Sequence, residues 1–204
     1  MIDLSRFQPY IYPALPELSD MEFIANTRRA CIEFCRQTQV WQIDLEPIDI
    51  VAGKHVYDLV LPKDAELSKV MSVIAEEIDL IPIAKERKSR VFGYSPCYSV
   101  NIQTKQIALE TTPKSNVVGG LQIRVALKPA IASFQVPEIL LTDYSEAISC
   151  GALGNLCSMV GRPFSDLQRA AAYREDFRHM INSATSDAAH GFSRANLNTK
   201  ESYI

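Results

Sequence analysis

Cysteine and histidine are the residues best suited to metal or nucleophile chemistry, and this chain has five cysteines and three histidines. Cys31 and Cys35 stand one helical turn apart; Cys97, Cys150 and Cys157 are isolated, and no Cys-x-x-Cys pair occurs. A structural zinc site draws its ligands from closely spaced pairs. His55, His179 and His190 have no such spacing with one another or with a cysteine. The histidines read as incidental, and the thiols as buried residues of a reducing compartment. No metal and no cofactor is expected. Glu76, Glu77 and Asp79 form an acidic cluster. Paired carboxylates can do acid–base work when they face each other across a substrate. Neighbours on a strand or turn point in different directions, so a solvated hairpin end is expected there. No phosphate-binding Walker loop, dinucleotide glycine fingerprint, His-Glu-x-x-His or nucleophile elbow is present. The expectation is a protein that is not an enzyme.

The densest basic run is Lys85, Arg87, Lys88 and Arg90. It reads either as a solvated loop or as a contact for an acidic partner or for passing DNA. Phe92, Tyr94 and Tyr98 follow it rather than interleave with it, unlike the stacking platform of a single-strand binder. The net charge is -3 and the isoelectric point about 5.7. A protein that grips phosphates shows a basic excess or a basic face, so any contact with DNA is expected to be local and transient.

Two further groups read as contact residues. Ala147, Cys150, Gly151, Gly154 and Ser158 line one side of a predicted helix. Such a stripe lets another helix approach closely, either within the chain or between identical chains in a ring, with Ala147, Gly151 and Gly154 at the contact. In the last residues, Phe192, Arg194, Leu197, Tyr203 and Ile204 are spaced like anchors through a stretch rich in Ser, Ala and Asn. Such a segment cannot offset its ordering entropy alone, so it is expected to order on docking to another protein or to a neighbouring subunit.

The elements that position these residues follow from pattern. With 47% hydrophobic and 22% charged residues over 204 positions, the chain can bury a core. Residues 1–18 carry Pro9, Pro13 and Pro16 with three aromatics, which predicts an extended arm rather than a helix. Ser19 and Glu22 form a capping box, and Leu18 and Phe23 a hydrophobic staple. Phe23, Ile24, Thr27, Cys31, Phe34 and Cys35 then recur at helical spacing, predicting a helix over 20–39. From Trp41 to about Phe134 the texture is β-like. Strands are predicted over 48–51, 55–61, 69–75, 80–84, 98–102, 106–110 and 121–127. A hairpin is expected at Gln103-Thr104-Lys105, with 121–127 pairing to 106–110 across the intervening loop. A helix is predicted over 137–160, stopped by Gly161. A last helix starts near Asp166, with Leu167, Ala170, Ala171, Phe177 and Ile181 as its apolar stripe. Residues 186–204 read as a flexible tail.

The fold class expected is α+β: a helical bundle formed by N- and C-terminal helices, with an inserted β-sandwich-like or small barrel domain. The division is an extended arm over 1–18, the bundle over 19–40 and 137–185, the β-rich insert over 41–136 and the tail over 186–204. The N-terminus has neither a basic nor an apolar leader segment. No run of about 18 apolar residues occurs, and no membrane partner is expected.

The order of these pieces resembles a known family. A helix ends before Trp41, and Ile50-Val51-Ala52-Gly53-Lys54-His55-Val56-Tyr57-Asp58-Leu59 follows. Gln106-Ile107-Ala108-Leu109-Glu110 comes next, then Ile123-Arg124-Val125-Ala126-Leu127-Lys128-Pro129. Tyr144-x-x-Ala-Ile-x-x-Gly-Ala-Leu leads through Gly161-Arg162-Pro163-Phe164-Ser165-Asp166 to Tyr173 and Phe177. This is similar to the head-to-tail adaptors, or tubular connectors, of tailed bacteriophages, over residues 20–184. The family often has tryptophan where this chain has Phe164. The resemblance implies a virion protein assembled in the bacterial host cytoplasm, a ring of about twelve copies. The helices would meet the portal protein and the β-layer a tail or nozzle protein. DNA would pass through the lumen. The rival readings are another virion module, for tail completion or receptor binding, and an uncharacterised hydrolase.

Overall fold

The computed structural model describes residues 1–83 and 96–189. The chain begins with β1 (Ile2–Asp3), a 3-10 turn (Leu4–Phe7), α1 (Gln8–Ile11) and α2 (Asp20–Thr38). Strands β2 (Gln42–Asp44), β3 (Ile48–Ile50), β4 (Val56–Asp58), β5 (Ala65–Ala75), β6 (Ile78–Asp79) and β7 (Ile81–Pro82) follow. Then come β8 (Cys97–Asn101), β9 (Gln106–Leu109), β10 (Val117–Pro129) and β11 (Gln135–Val136). Helices α3 (Ile139–Thr142), α4 (Ser145–Cys157) and α5 (Leu167–Ala189) close the described chain.

α2 starts where its cap chemistry dictates. The Ser19 hydroxyl accepts from the Glu22 amide at 3.4 Å and donates to the Glu22 carboxylate at 2.6 Å. The expected return bond from Glu22 to the Ser19 amide is thus replaced by one to the Ser19 hydroxyl. The helix ends at Gln39, whose φ of 56° is left-handed and whose amide bonds back to the Cys35 carbonyl. Its apolar face packs on α4 and α5. Phe7, Phe23 and Phe34 lie in the shared core with Ile148, Leu156, Phe177 and Ile181. Burial of each phenylalanine contributes about 1.5–3 kcal/mol.

β10 is the spine of the strand-rich part. It pairs antiparallel with β2 and β3 along one edge and with β5 along the other, and β6 continues beyond β5. A second sheet runs β4-β9-β8-β7. The two sheets share one apolar cluster, in which Leu121, Ile123, Val125 and Leu127 of β10 pack with Tyr57, Tyr98, Ile107 and Leu109. Across β2 and β10, Asp44 and Arg124 are direct register partners, joined by two bonds of 2.7 and 2.9 Å. Trp41, between α2 and β2, packs against both apolar clusters.

Several expectations are corrected here. The fold is not a helical bundle with an inserted β-sandwich or barrel. It is mixed α and β and rich in strand, with eleven strands in three sheets and five α-helices among the described residues. Strand structure reaches the N-terminus, where β1 pairs with β11. β1 and β11 have two residues each, too few for a period-two signature, so sequence pattern misses them. Residues 1–18 are not an extended arm. They coil as a 3-10 turn and a helical turn, because Leu4, Phe7, Ile11, Leu15 and Leu18 all bury against the helical core. β10 does not pair with β9. Their apolar rows face each other across the shared cluster instead of lying side by side. The helix expected over 137–160 breaks at Tyr144, whose ring packs on Phe34 with centroids 4.9 Å apart. α5 continues through Ala189, past the expected end at 185, with Ala188 buried.

Candidate interaction surface

Around the N-terminal end of α2 the chain builds a surface of apolar and proline residues. Pro9, Pro13 and Pro16, with Gln8, Tyr12 and Asp20, line a shallow, open depression of about 670 Å³. Proline keeps this turn from extending as a helix and leaves its rings outward. Tyr12 is anchored on both sides. Its ring lies against Phe23 with centroids 5.4 Å apart, and its hydroxyl donates to the Asp20 carboxylate. That hydrogen bond pushes the Tyr12 phenol up to about 12. The depression is therefore a fixed tyrosine–proline floor with a carboxylate on its rim.

The surface continues past Asp20. Met21 is 82% exposed. Next to it Glu22 pairs with Arg162 at 2.7 Å, tying α2 to the turn between α4 and α5. The Ser19 hydroxyl, and then the Arg162 guanidinium, hold the Glu22 carboxyl below the usual carboxylate range. Val160 on that turn is 85% exposed and Leu167, the first residue of α5, 67%. The turn is fixed by the Asp166 amide bonded to the Cys157 carbonyl and by Asp166 capping Gln168 and Arg169. Met21 adjoins Glu22 of this ion pair in sequence, Val160 lies two residues before Arg162, and Leu167 opens α5 beyond the turn.

Further along α2, Arg28 reaches the loop between β10 and β11. Its guanidinium donates to the Ser133 carbonyl at 3.3 Å and lies 5.7 Å from the centre of the Phe134 ring. Ser133 is buried, and its hydroxyl donates to the Gln135 carbonyl and accepts from the Gln135 amide. The Phe134 carbonyl accepts from the Leu4 amide. Ile131 and Phe134 nevertheless point into solvent, 76% and 58% exposed.

The residues singled out in the sequence fall differently. Ala147, Gly151 and Gly154 are buried on α4. A side chain at Gly151 would start 2.9 Å from the Phe177 ring and 3.0 Å from Ala30, and one at Gly154 would meet Arg174 and Tyr173. The stripe thus faces α2 and α5 of its own chain. Lys85, Arg87, Lys88 and Arg90 lie outside the described residues, as do Phe192, Arg194, Leu197, Tyr203 and Ile204. Leu167 and Ala171, assigned to the apolar stripe of the last helix, are exposed. The buried stripe runs Ala170, Phe177, Ile181, Ala184, Ala188. Sequence reading missed Met21, Ile131, Phe134 and Val160. Their signal was an apolar residue out of phase with its element, or in a loop between two elements.

Cys31, Cys35, Cys150 and Cys157 are thiols without disulfides. Burial pushes Cys35 up to about 12 and raises Cys31 well above the ordinary thiol value. Among the described residues, no group of three or more His, Cys, Asp or Glu is placed to hold a metal ion. No described helix is long and apolar enough to cross a membrane. No protein-family model matches the chain, and no curated protein matches it.

Proposed function

We propose that this chain is a structural virion protein, a head-to-tail adaptor that forms a ring between the portal and the tail or nozzle of a tailed bacteriophage. The observation that carries the reading is the apolar surface at the N-terminal end of α2. There the tyrosine–proline depression ends at Asp20, exposed Met21 follows it in sequence, and the Glu22–Arg162 pair ties α2 to the turn that carries exposed Val160. Large apolar side chains left exposed next to an open apolar depression are a mark of protein–protein contact. A rigid mounting reduces the ordering cost of binding. The resemblance in motif order supports the same reading, and the modest net charge suits a channel that lets DNA pass without gripping it.

The test is co-sedimentation of the purified full chain with isolated portal rings, with particle size followed in parallel. Ring-sized particles or portal-bound chain are the expected result. Val160→Glu combined with Leu167→Glu should lower portal binding by at least about tenfold, the effect of losing one strong contact. Both side chains are exposed, so the melting temperature should not change. A chain that neither assembles nor sediments with portal rings overturns the reading.

A further inference from the structure

We propose that Arg162 is a positioning residue: its ion pair with Glu22 holds the turn between α4 and α5 in the form in which Val160 meets a partner. Arg162 thereby serves the contact surface proposed above, and its role in binding rests on that reading.

The turn is held at its two ends and loose in its middle. At the α4 end the Met159 amide bonds to the Leu156 carbonyl, and the Arg174 guanidinium donates to the Ser158 hydroxyl. At the α5 end the Asp166 amide bonds to the Cys157 carbonyl, and Phe164 packs on the helical core. Between these ends Val160, Gly161, Arg162 and Pro163 are all exposed. The amides of Val160, Gly161 and Arg162 donate no backbone hydrogen bond, and proline has none to give. Gly161 has a φ of 80° and adds the wide backbone freedom of glycine. The Ser165 amide does bond to the Arg162 carbonyl, but that bond lies within the turn and does not tie it to α2.

The tie to α2 is the Arg162 side chain. One of its guanidinium nitrogens lies 2.7 Å from Glu22 Oε1. That oxygen is shielded from solvent and has no other partner, while the Ser19 hydroxyl donates to Oε2. A shielded carboxylate oxygen that loses its cation is left unpaired at high cost. Ion pairs between two exposed side chains contribute little. Here the Glu22 side chain is only 15% exposed, against 51% for Arg162. Glu22 is in turn fixed in the first turn of α2 by its two bonds with Ser19. Its neighbour Asp20 is engaged by the Tyr12 hydroxyl. Ordering a mobile loop during binding opposes binding, and order already present in the free chain does not. The ion pair supplies that order to the backbone that carries Val160.

The experiment compares the full chain with Arg162→Gln and Arg162→Lys. The contact runs through a single nitrogen, so a lysine ammonium can replace it and glutamine removes the charge. Nitrogen-15 relaxation gives backbone order parameters for Val160 and Gly161. The expected values are near about 0.85 in the unchanged chain and in Arg162→Lys, and below about 0.6 in Arg162→Gln, with α4 and α5 unchanged. Co-sedimentation with portal rings should weaken by about tenfold for Arg162→Gln and stay within about twofold for Arg162→Lys. Unchanged order at Val160 and Gly161 in Arg162→Gln overturns the proposal whatever the binding. Loss of order spread along α4 and α5 would show a merely structural role and overturns it too. So does a loosened turn with full portal binding. If no version sediments with portal rings, the unchanged chain included, the reading of function fails and the contact of Val160 falls with it, while the order parameters separately decide whether Arg162 holds the turn.

Discussion

Thr27 sits on the buried face of α2, fully enclosed, and its hydroxyl has no hydrogen-bond partner. A buried unpaired hydroxyl costs about 1–3 kcal/mol of desolvation that nothing returns. Thr27→Val keeps the shape and removes the polar atom. It should stabilise the protein by about 1 kcal/mol, read as a higher urea midpoint with an unchanged slope. Glu76 and Glu77 show a second local tension. They form the two-residue turn between β5 and β6 with φ of 50° and 66°. That geometry matches the right-handed strand twist but favours an asparagine followed by a glycine. Glu76→Asn combined with Glu77→Gly should raise stability by about 1 kcal/mol in thermal unfolding. The sequence points to a hairpin end at this acidic cluster because adjacent carboxylates diverge. It does not reveal the strained φ values, since nothing in the residue types calls for them.

At the scale of elements, α2 is legible to within a residue because its cap, staple and 3.6-residue period agree. The contact of α4 with α5 follows from the same kind of pattern, and Gly151 is where it is tightest. Gly151→Leu forces a side chain into Phe177 and Ala30 and should cost about 1–3 kcal/mol in unfolding measurements. An unchanged melting temperature would mean that the two helices part more readily than their packing implies. Strand pairing is less legible. β10 alternates as expected, but alternation fixes which face is buried and not which strand lies alongside, so the expected pairing of β9 with β10 fails. The observed partners are β2, β3 and β5, and β2 supplies the Asp44–Arg124 pair. The Arg124 guanidinium holds the Asp44 carboxyl below its ordinary value. Its contribution is therefore complete above the unfolded aspartate value of about 3.9 and is lost as pH falls through the lower folded one. Asp44→Asn should flatten the acid limb of the stability profile over that range. At neutral pH both side chains are largely exposed, and the pair's effect there is small.

For the whole molecule, the sequence leads to an expectation that helices and strands separate along the chain, and a mixed fold of three sheets, with strand at the N-terminus, stands in place of that bundle with an insert. The shortest strands, β1 and β11 among them, exist because neighbours supply their partners, and no local pattern encodes that. The candidate surface is illegible for a related reason. An exposed valine and a buried one are the same letter, and only the packing around Val160 and Leu167 tells them apart. Truncation after Ala189 tests the remaining contact expectation at this scale. The shortened chain keeps all of α5, so it should melt as the full chain does but bind portal rings less tightly; equal binding would remove the terminal anchors from the assembly. Trp41 is the chain's single tryptophan, and it touches the helical core on one side and the strand-rich core on the other. Its fluorescence is therefore a natural gauge of the seam. A red shift that precedes the loss of circular dichroism on heating would report the two cores parting while each is still folded.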